Sequence, residues 1–110
     1  MPRRKAKVDA NQRMIKTSLV WAGYHVTDLS GCGEGVPDLL CTRAGMAYLV
    51  EVKNPKGRNS FTPAQINYYS KVRCPVFVLR GINDVELLIN GKLTPINGSQ
   101  AQQQNPTTDP

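Results

Sequence analysis

Residues 46–54 read Met-Ala-Tyr-Leu-Val-Glu-Val-Lys-Asn, and this stretch decides the fold class that the sequence predicts. Tyrosine, leucine and valine dominate its first seven positions, and a glycine and a proline bound it, which is the pattern of a buried strand. Successive side chains of a strand point to opposite faces, so Glu51 and Lys53 share one face and the two flanking valines share the other.

A carboxylate and an ammonium group at the end of a buried strand allow two interpretations. Burying either group without a partner is costly. In the first interpretation, therefore, the pair lies at an ordinary solvated strand end. In the second, Glu51 holds a metal ion and Lys53 faces an anionic substrate.

A second carboxylate favours the interpretation as a metal site. Asp38 begins the short apolar run Asp-Leu-Leu-Cys-Thr, and a turn at residues 43–45 joins this run to the Glu51 strand. Asp38 and Glu51 lie 13 positions apart. A hairpin of the two runs would bring both carboxylates to the same end of a sheet.

Pro37-Asp38 followed by Glu51-x-Lys53 resembles the signature of the PD-(D/E)XK nuclease superfamily. Three segments are similar to the small VRR-NUC nuclease domains and to the archaeal Holliday junction resolvases: Gly-Val-Pro-Asp-Leu-Leu at 35–40, Leu-Val-Glu-Val-Lys at 49–53 and Thr-Pro-Ala-Gln at 62–65. The resemblance covers about residues 9–90. It implies an α/β fold of the restriction-endonuclease-like kind, with a central mixed β-sheet flanked by helices.

The resemblance also implies a chemistry, namely metal-dependent endonuclease hydrolysis of DNA phosphodiester bonds, selective for branched or Holliday junction DNA. Asp38, Glu51 and the backbone carbonyl of Val52 would bind the metal. An all-oxygen site suits Mg²⁺, and Mn²⁺ is expected to substitute. Lys53 would orient a water or stabilise charge on the phosphate, and Gln65 would orient substrate or water. Alternatively, Gln65 only closes a helix cap.

One departure from the resembled pattern keeps a second function open. The archaeal resolvases have a metal-binding glutamate about a dozen residues before the glycine that ends the first helix. The matching position here is Gln12, or Asn11 if the register shifts by one, and a neutral amide brings no negative charge. Gln12 is therefore a candidate second-shell residue, as is Glu34. The alternative function is a catalytically silent nuclease-like module that binds DNA or a partner protein.

The charge of the chain predicts a nucleic-acid partner. The 110 residues are expected to form one domain, and their formal net charge is +6. Part of this excess lies on residues 1–8, which are expected to form a basic disordered arm. Two further cations follow the Glu51 strand in a loop, where a plain solvated role is the alternative. The residues expected to contact DNA are Arg3, Arg4, Lys5, Lys7, Lys56 and Arg58.

Cysteine usage and hydropathy exclude several classes of protein. The three cysteines form no Cys-x-x-Cys pair or Cys/His cluster, so a structural zinc site or disulfide framework is not expected. No apolar run approaches the roughly 18 residues of a membrane span, and the basic start is not followed by the apolar core of a signal peptide. A cytoplasmic location with reduced thiols is expected, and the resemblance suggests a prokaryotic or phage setting.

Local patterns predict the helices and strands around the site. The nuclease domain is expected over residues 9–96, followed by a disordered polar tail over 97–110. Strands are predicted at 24–29, 37–42, 46–53 and 74–79, and the last is expected to lie parallel to the Glu51 strand. A first helix is predicted from Asp9 to residue 21 or 22, and a second starts at Thr62 with a capping box to Gln65. A third helix is predicted at 84–90 with Asn83 as its cap, and a strand is the alternative there.

The implied substrate also predicts an assembly. Releasing a four-way junction symmetrically requires two incisions, and one chain carries one Asp38…Glu51-x-Lys53 constellation. A homodimer is therefore expected, with an interface on the outer sides of the helices that includes Trp21 and Tyr68. A monomer that makes one incision near a flap or nick is the alternative.

Overall fold

The computed structural model describes residues 10–56 and 60–105, which form one mixed sheet with helices on both faces. The elements in these ranges are α1 Ala10–Trp21, β1 His25–Asp28, β2 Leu39–Arg43, β3 Met46–Val52, α2 Pro63–Lys71, β4 Val76–Leu79, α3 Ile82–Ile89 and α4 Gly98–Gln104.

The four strands lie in the order β1-β2-β3-β4. β1 pairs antiparallel with β2, and β2 pairs antiparallel with β3. β4 pairs parallel with β3, because the connection between them contains α2 and returns the chain to the same end of the sheet. The prediction of an α/β domain with a mixed sheet flanked by helices is confirmed at this level, as is the parallel pairing of the last strand.

Alternate residues of the strands divide between two apolar clusters, as the two-residue period of a strand requires. On one face, Val50 and Leu79 pack with residues of α1 and α3, including Leu19 and Val85. On the other, Leu49 and Val78 belong to the cluster that includes residues of α2 and α4. Glu51 alternates onto this second face, so its carboxylate enters an otherwise apolar layer.

A tight turn of two residues joins β2 to β3 and fixes their register. Arg43 pairs with Met46, so Ala44 and Gly45 alone form the loop. Both have positive φ, 51° and 80°, which is the backbone pattern of a type I′ hairpin turn. The register that follows pairs Leu39 with Val50.

The observed bounds of α1 and α3 can be compared with the helix starts that the sequence predicts. α1 ends where predicted, whereas its predicted cap, Asp9, lies outside the described residues. α3 begins at Ile82 with Gly81 at the N-cap, so the prediction of a cap at Asn83 is wrong, and so is the strand alternative. The nearby carboxylate of Asp84 instead accepts a hydrogen bond from the backbone N–H of Arg80 at 2.7 Å.

The prediction of a disordered tail from residue 97 is wrong as far as residue 105. Asn97 and Gln100 form a capping box that starts α4, and Ala101 is fully buried. Gly98 lies so close to α2 that a Cβ atom would collide with the side chain of Ser70. A small residue at the contact lets this polar helix pack on α2 with little apolar surface. Residues 106–110 and the predicted arm, 1–8, lie outside the described residues.

Candidate active site

The β2–β3 pair brings the two predicted carboxylates together at one end of the central strands. Asp38 immediately precedes β2, and Glu51 is the penultimate residue of β3. Oδ2 of Asp38 accepts a hydrogen bond from the backbone N–H of Val52 at 2.8 Å. The residue next to Glu51 therefore anchors the carboxylate of Asp38.

Glu51 is a buried acid on a strand that has partners on both sides. Its exposure is only 6%, and it pairs in register with Val78 of β4. Oε2 of Glu51 accepts a hydrogen bond from Nε2 of Gln65 at 3.1 Å. The same oxygen lies 3.8 Å from Nζ of Lys53, which makes a largely buried ion pair without a direct hydrogen bond. The interpretation as a solvated strand end does not fit this burial.

The pKa of Glu51 is raised to about 7, chiefly because burial removes water from the charged form and also because the negative charge of Asp38 lies nearby. The positive charge of Lys53 and the hydroxyl and amide groups of Tyr69 and Gln65 act in the opposite direction. The two acids thus interact strongly enough to disfavour two negative charges, which is the electrostatic situation that a bound divalent cation relieves.

Lys53 is held in place by residues that precede α2. Its Nζ donates to the carbonyl oxygen of Ser60 at 3.0 Å and lies 4.6 Å from the centre of the Phe61 ring. The backbone of Lys53 is fixed as well, because its N–H donates to the carbonyl of Leu79 at 3.0 Å. Its carbonyl accepts from Nδ2 of Asn11 at 3.1 Å. The ammonium group is consequently positioned beside Glu51.

Gln65 makes the predicted capping contact and also contacts Glu51. Its Oε1 accepts from the backbone N–H of Thr62 at 2.9 Å, which completes the capping box of α2. Its Nε2 donates to Glu51. A single amide side chain thus starts the helix and ties the helix to the acidic residue.

Gly35 sets the distance between the loop before Asp38 and the start of α2. Its φ is 81°, a conformation that side chains rarely adopt. A Cβ atom there would collide with the carbonyl of Ala64 and lie 2.8 Å from the backbone nitrogen of Gln65. Close packing inside the protein therefore requires glycine at this position.

Tyr69 belongs to the apolar cluster that surrounds Glu51 on the second face of the sheet. It lies one helical turn after Gln65, is 3% exposed and packs edge-to-face on Phe61 at 5.8 Å between ring centres. Its hydroxyl is buried and lies close enough to Glu51 to lower the pKa of that acid, but within the described residues it makes no hydrogen bond of regular geometry. The signal in the sequence was its spacing of four from Gln65.

The remaining predicted site residues are Asn11, Gln12, Glu34 and the candidate DNA contacts. Asn11 of α1 reaches the site through Lys53 and also donates to the carbonyl of Arg80 at 3.2 Å. Gln12 is half-buried on the same helix, and Glu34 is exposed, with a φ of 59°. Lys56 is exposed beyond β3. Five of the predicted DNA contacts lie outside the described residues: Arg3, Arg4, Lys5, Lys7 and Arg58.

The donor set at the site fits a small divalent cation that keeps several waters. In the described ranges, no group of three or more histidine, cysteine, aspartate or glutamate side chains converges on one point. Asp38 and Glu51 supply two carboxylates whose charges oppose each other. Mg²⁺ commonly binds through one or two carboxylates with the remaining positions taken by water and phosphate. The residues present therefore suit Mg²⁺ better than a fully protein-ligated metal.

Comparison with known proteins leaves the site to be interpreted from its own geometry. No family model, no curated protein and no solved structure matches the chain. None of the helices in the described ranges has the length and apolar character needed to cross a membrane.

Proposed function

We propose that the protein is a magnesium-dependent endonuclease that hydrolyses DNA phosphodiester bonds and prefers branched or junction DNA. The observation that supports this most directly is the buried Glu51, paired with Asp38 and contacted by both Lys53 and Gln65. Burying an acid beside a second acid is costly, and such arrangements are concentrated at functional sites. The resemblance to VRR-NUC domains and archaeal junction resolvases supports the choice of reaction and substrate.

Asp38 and Glu51 would hold the metal, together with the backbone carbonyl of Val52. When bound, Mg²⁺ would neutralise phosphate charge and lower the pKa of an attacking water, and Mn²⁺ would substitute. The hydrogen bond from Val52 to Asp38 keeps one carboxylate oriented, and the amide of Gln65 does the same for Glu51. Both carboxylates are therefore positioned before any ligand arrives.

Lys53 would stabilise the negative charge that grows on the phosphate during cleavage. Its ammonium group is held by the Ser60 carbonyl and the face of the Phe61 ring, so it needs little rearrangement to act. Gln65 would orient the substrate or a water through the same amide that contacts Glu51. The net charge of +6 supports a polyanionic substrate.

Cleavage assays on three DNA substrates test this proposal. Linear duplex, flap and four-way junction DNA would each be incubated with Mg²⁺, with Mn²⁺ and with EDTA. We expect metal-dependent cleavage, fastest on the flap or junction. DNA binding without cleavage under every metal condition would contradict the nuclease proposal and favour the silent binding module.

Cutting a junction symmetrically requires two sites, so we extend the proposal to a homodimer. Trp21 at the end of α1 is 85% exposed and offers apolar surface for an interface. Tyr68 lies on α2, which packs on the opposite face of the sheet, so the expected interface that includes both residues is not one continuous patch. Light scattering at micromolar concentration, with and without junction DNA, tests this. A monomer in both conditions that nicks one strand per encounter would remove the dimer and leave the nuclease proposal intact.

A further inference from the structure

The hydroxyl of Tyr69 is the one buried side-chain polar atom in the described residues for which no hydrogen-bond partner is found. An unpaired buried hydroxyl destabilises a folded protein, because it gives up its hydrogen bonds to water without replacing them. Phenylalanine would fill the same space and keep the edge-to-face contact with Phe61. Packing alone therefore does not account for a tyrosine at this position.

The position of the Tyr69 hydroxyl relative to Glu51 and Asp38 suggests a role in orienting the acidic pair. Tyr69 follows Gln65 by four residues, so both side chains leave the same face of α2, and Gln65 contacts Glu51. A tyrosine hydroxyl is protonated at neutral pH, so it is a hydrogen-bond donor. It lies near enough to Glu51 and Asp38 for the charges of both carboxylates to act on it.

We infer that Tyr69 is a positioning residue of the metal site, whose hydroxyl donates a hydrogen bond to the Glu51 carboxylate when a divalent cation is bound. This inference rests on the proposed function. Ionised Glu51 would then have two donors from α2, the Gln65 amide and the Tyr69 hydroxyl, which together fix the orientation of the carboxylate. Residues that orient a metal ligand in this way commonly change metal affinity or activity by about 10–100-fold when they are removed.

Tyr69→Phe should have one set of effects if the hydroxyl only supports the fold and another if it orients Glu51. The substitution removes one oxygen and retains the ring. If the hydroxyl only served the fold, its loss would change the melting temperature of the metal-free protein and leave metal affinity alone. If it orients Glu51, the metal-free protein should be as stable as the wild type or more stable, while its affinity for Mg²⁺ falls.

The experiment is a thermal-unfolding titration with MgCl₂ at pH 8, at constant ionic strength maintained with KCl. We expect Tyr69→Phe to raise the Kd for Mg²⁺ about tenfold or more, without a lower melting temperature in EDTA. Tyr48→Phe is the matched control, because it removes a half-buried tyrosine hydroxyl on the opposite face of the sheet from Glu51. That variant should titrate like the wild type. Mn²⁺ provides a second probe with the same expected order of affinities.

Three results would overturn the inference. Equal Mg²⁺ affinity in Tyr69→Phe and wild type would show that the hydroxyl does not act on Glu51. A lower melting temperature in EDTA with unchanged affinity would show a structural role. Wild type that binds neither Mg²⁺ nor Mn²⁺ would remove the metal site itself, and with it the proposed function, so the two failures are distinguishable.

Discussion

The carboxylate of Asp38 and the backbone N–H of Val52 form a 2.8 Å hydrogen bond across the β2–β3 pair. This bond ties the first acidic residue to the strand that carries the second. The separation of the two carboxylates is therefore set by the hairpin and not by flexible side chains. The charge of one acid then affects the other directly, since Asp38 raises the pKa of Glu51.

Asp38→Asn should abolish cleavage while leaving DNA binding intact or tighter. The amide oxygen of asparagine can still accept the bond from Val52, so the fold should persist, but one of the two charges that hold the metal is lost. Removing negative charge near the phosphates also favours binding of DNA. Cleavage of junction DNA in Mg²⁺ and DNA affinity in EDTA measure the two effects. Metal-dependent cleavage retained by both Asp38→Asn and Glu51→Gln would contradict the site assignment.

Glu51 should make the metal-free protein less stable as the pH rises from about 4.5 to about 7. Unfolding lowers the pKa of this residue from about 7 toward 4.5, so in that window the folded state holds more protons than the unfolded state. The stability that protonated Glu51 contributes below its unfolded-state pKa is therefore lost as the pH rises to its folded-state pKa. The loss is of the order of 3 kcal/mol at most, at about 1.4 kcal/mol per pKa unit.

Glu51→Gln tests this sign, because glutamine imitates the protonated acid at every pH. Urea unfolding in EDTA should find the variant more stable than wild type by about 1–3 kcal/mol at pH 8, with little difference near pH 4. Glu86→Gln on the exposed side of α3 is the control and should track the wild type. A variant that is less stable than wild type at pH 8 would show that Glu51 is stabilised in its charged form.

Gly35→Ala should disrupt the start of α2 more than a glycine substitution elsewhere in the same loop. The new Cβ atom would meet the carbonyl of Ala64, in addition to the strain of a positive φ. Gly33 has a φ of 71° with open space around it, so Gly33→Ala reports the strain alone, about 1–2 kcal/mol. Gly31→Ala meets nothing within 4 Å and serves as the neutral control.

Urea unfolding of these three variants should therefore rank them in one order, with Gly35→Ala the least stable. Gly35→Ala should also lose cleavage activity, because Gln65 would shift relative to Glu51. Equal stability of Gly33→Ala and Gly35→Ala would mean that the loop withdraws from α2 without cost.

The site was predictable where local pattern determines geometry. The alternation of residues along β3 places Glu51 and Lys53 on one face, and a short turn suffices to bring Asp38 alongside. The capping box from Thr62 to Gln65 is likewise a local signature, and the structure contains it.

The C-terminal helix was missed because its stability is tertiary. Its seven residues include one buried alanine and otherwise glycine, serine and glutamine, so no apolar periodicity indicates a helix. What holds it is the close approach of Gly98 to Ser70 and the contacts of Asn105 with Phe61. The capping box at Asn97 was a readable signal, but composition favoured disorder. The unpaired hydroxyl of Tyr69 likewise depends on packing that no sequence pattern specifies.

Asn105 connects this missed helix to the ammonium group of Lys53. The side chain of Asn105 accepts from the backbone N–H of Phe61 at 2.6 Å and donates to its carbonyl at 2.9 Å. Phe61 in turn presents its ring to Lys53, and the preceding carbonyl, that of Ser60, accepts from the same ammonium group. The end of α4 therefore supports the residues that position Lys53.

Asn105→Ala should lower both stability and cleavage rate. Two backbone groups of the buried Phe61 lose their partners, which should cost about 1–3 kcal/mol in urea unfolding. Displacement of Phe61 and Ser60 should reduce kcat while the affinity for Mg²⁺ stays near the wild-type value, because Asp38 and Glu51 are untouched. Gln103→Ala, on the exposed side of the same helix, is the matched control and should change neither quantity. Loss of stability with an unchanged kcat would show that Lys53 keeps its position without support from α4.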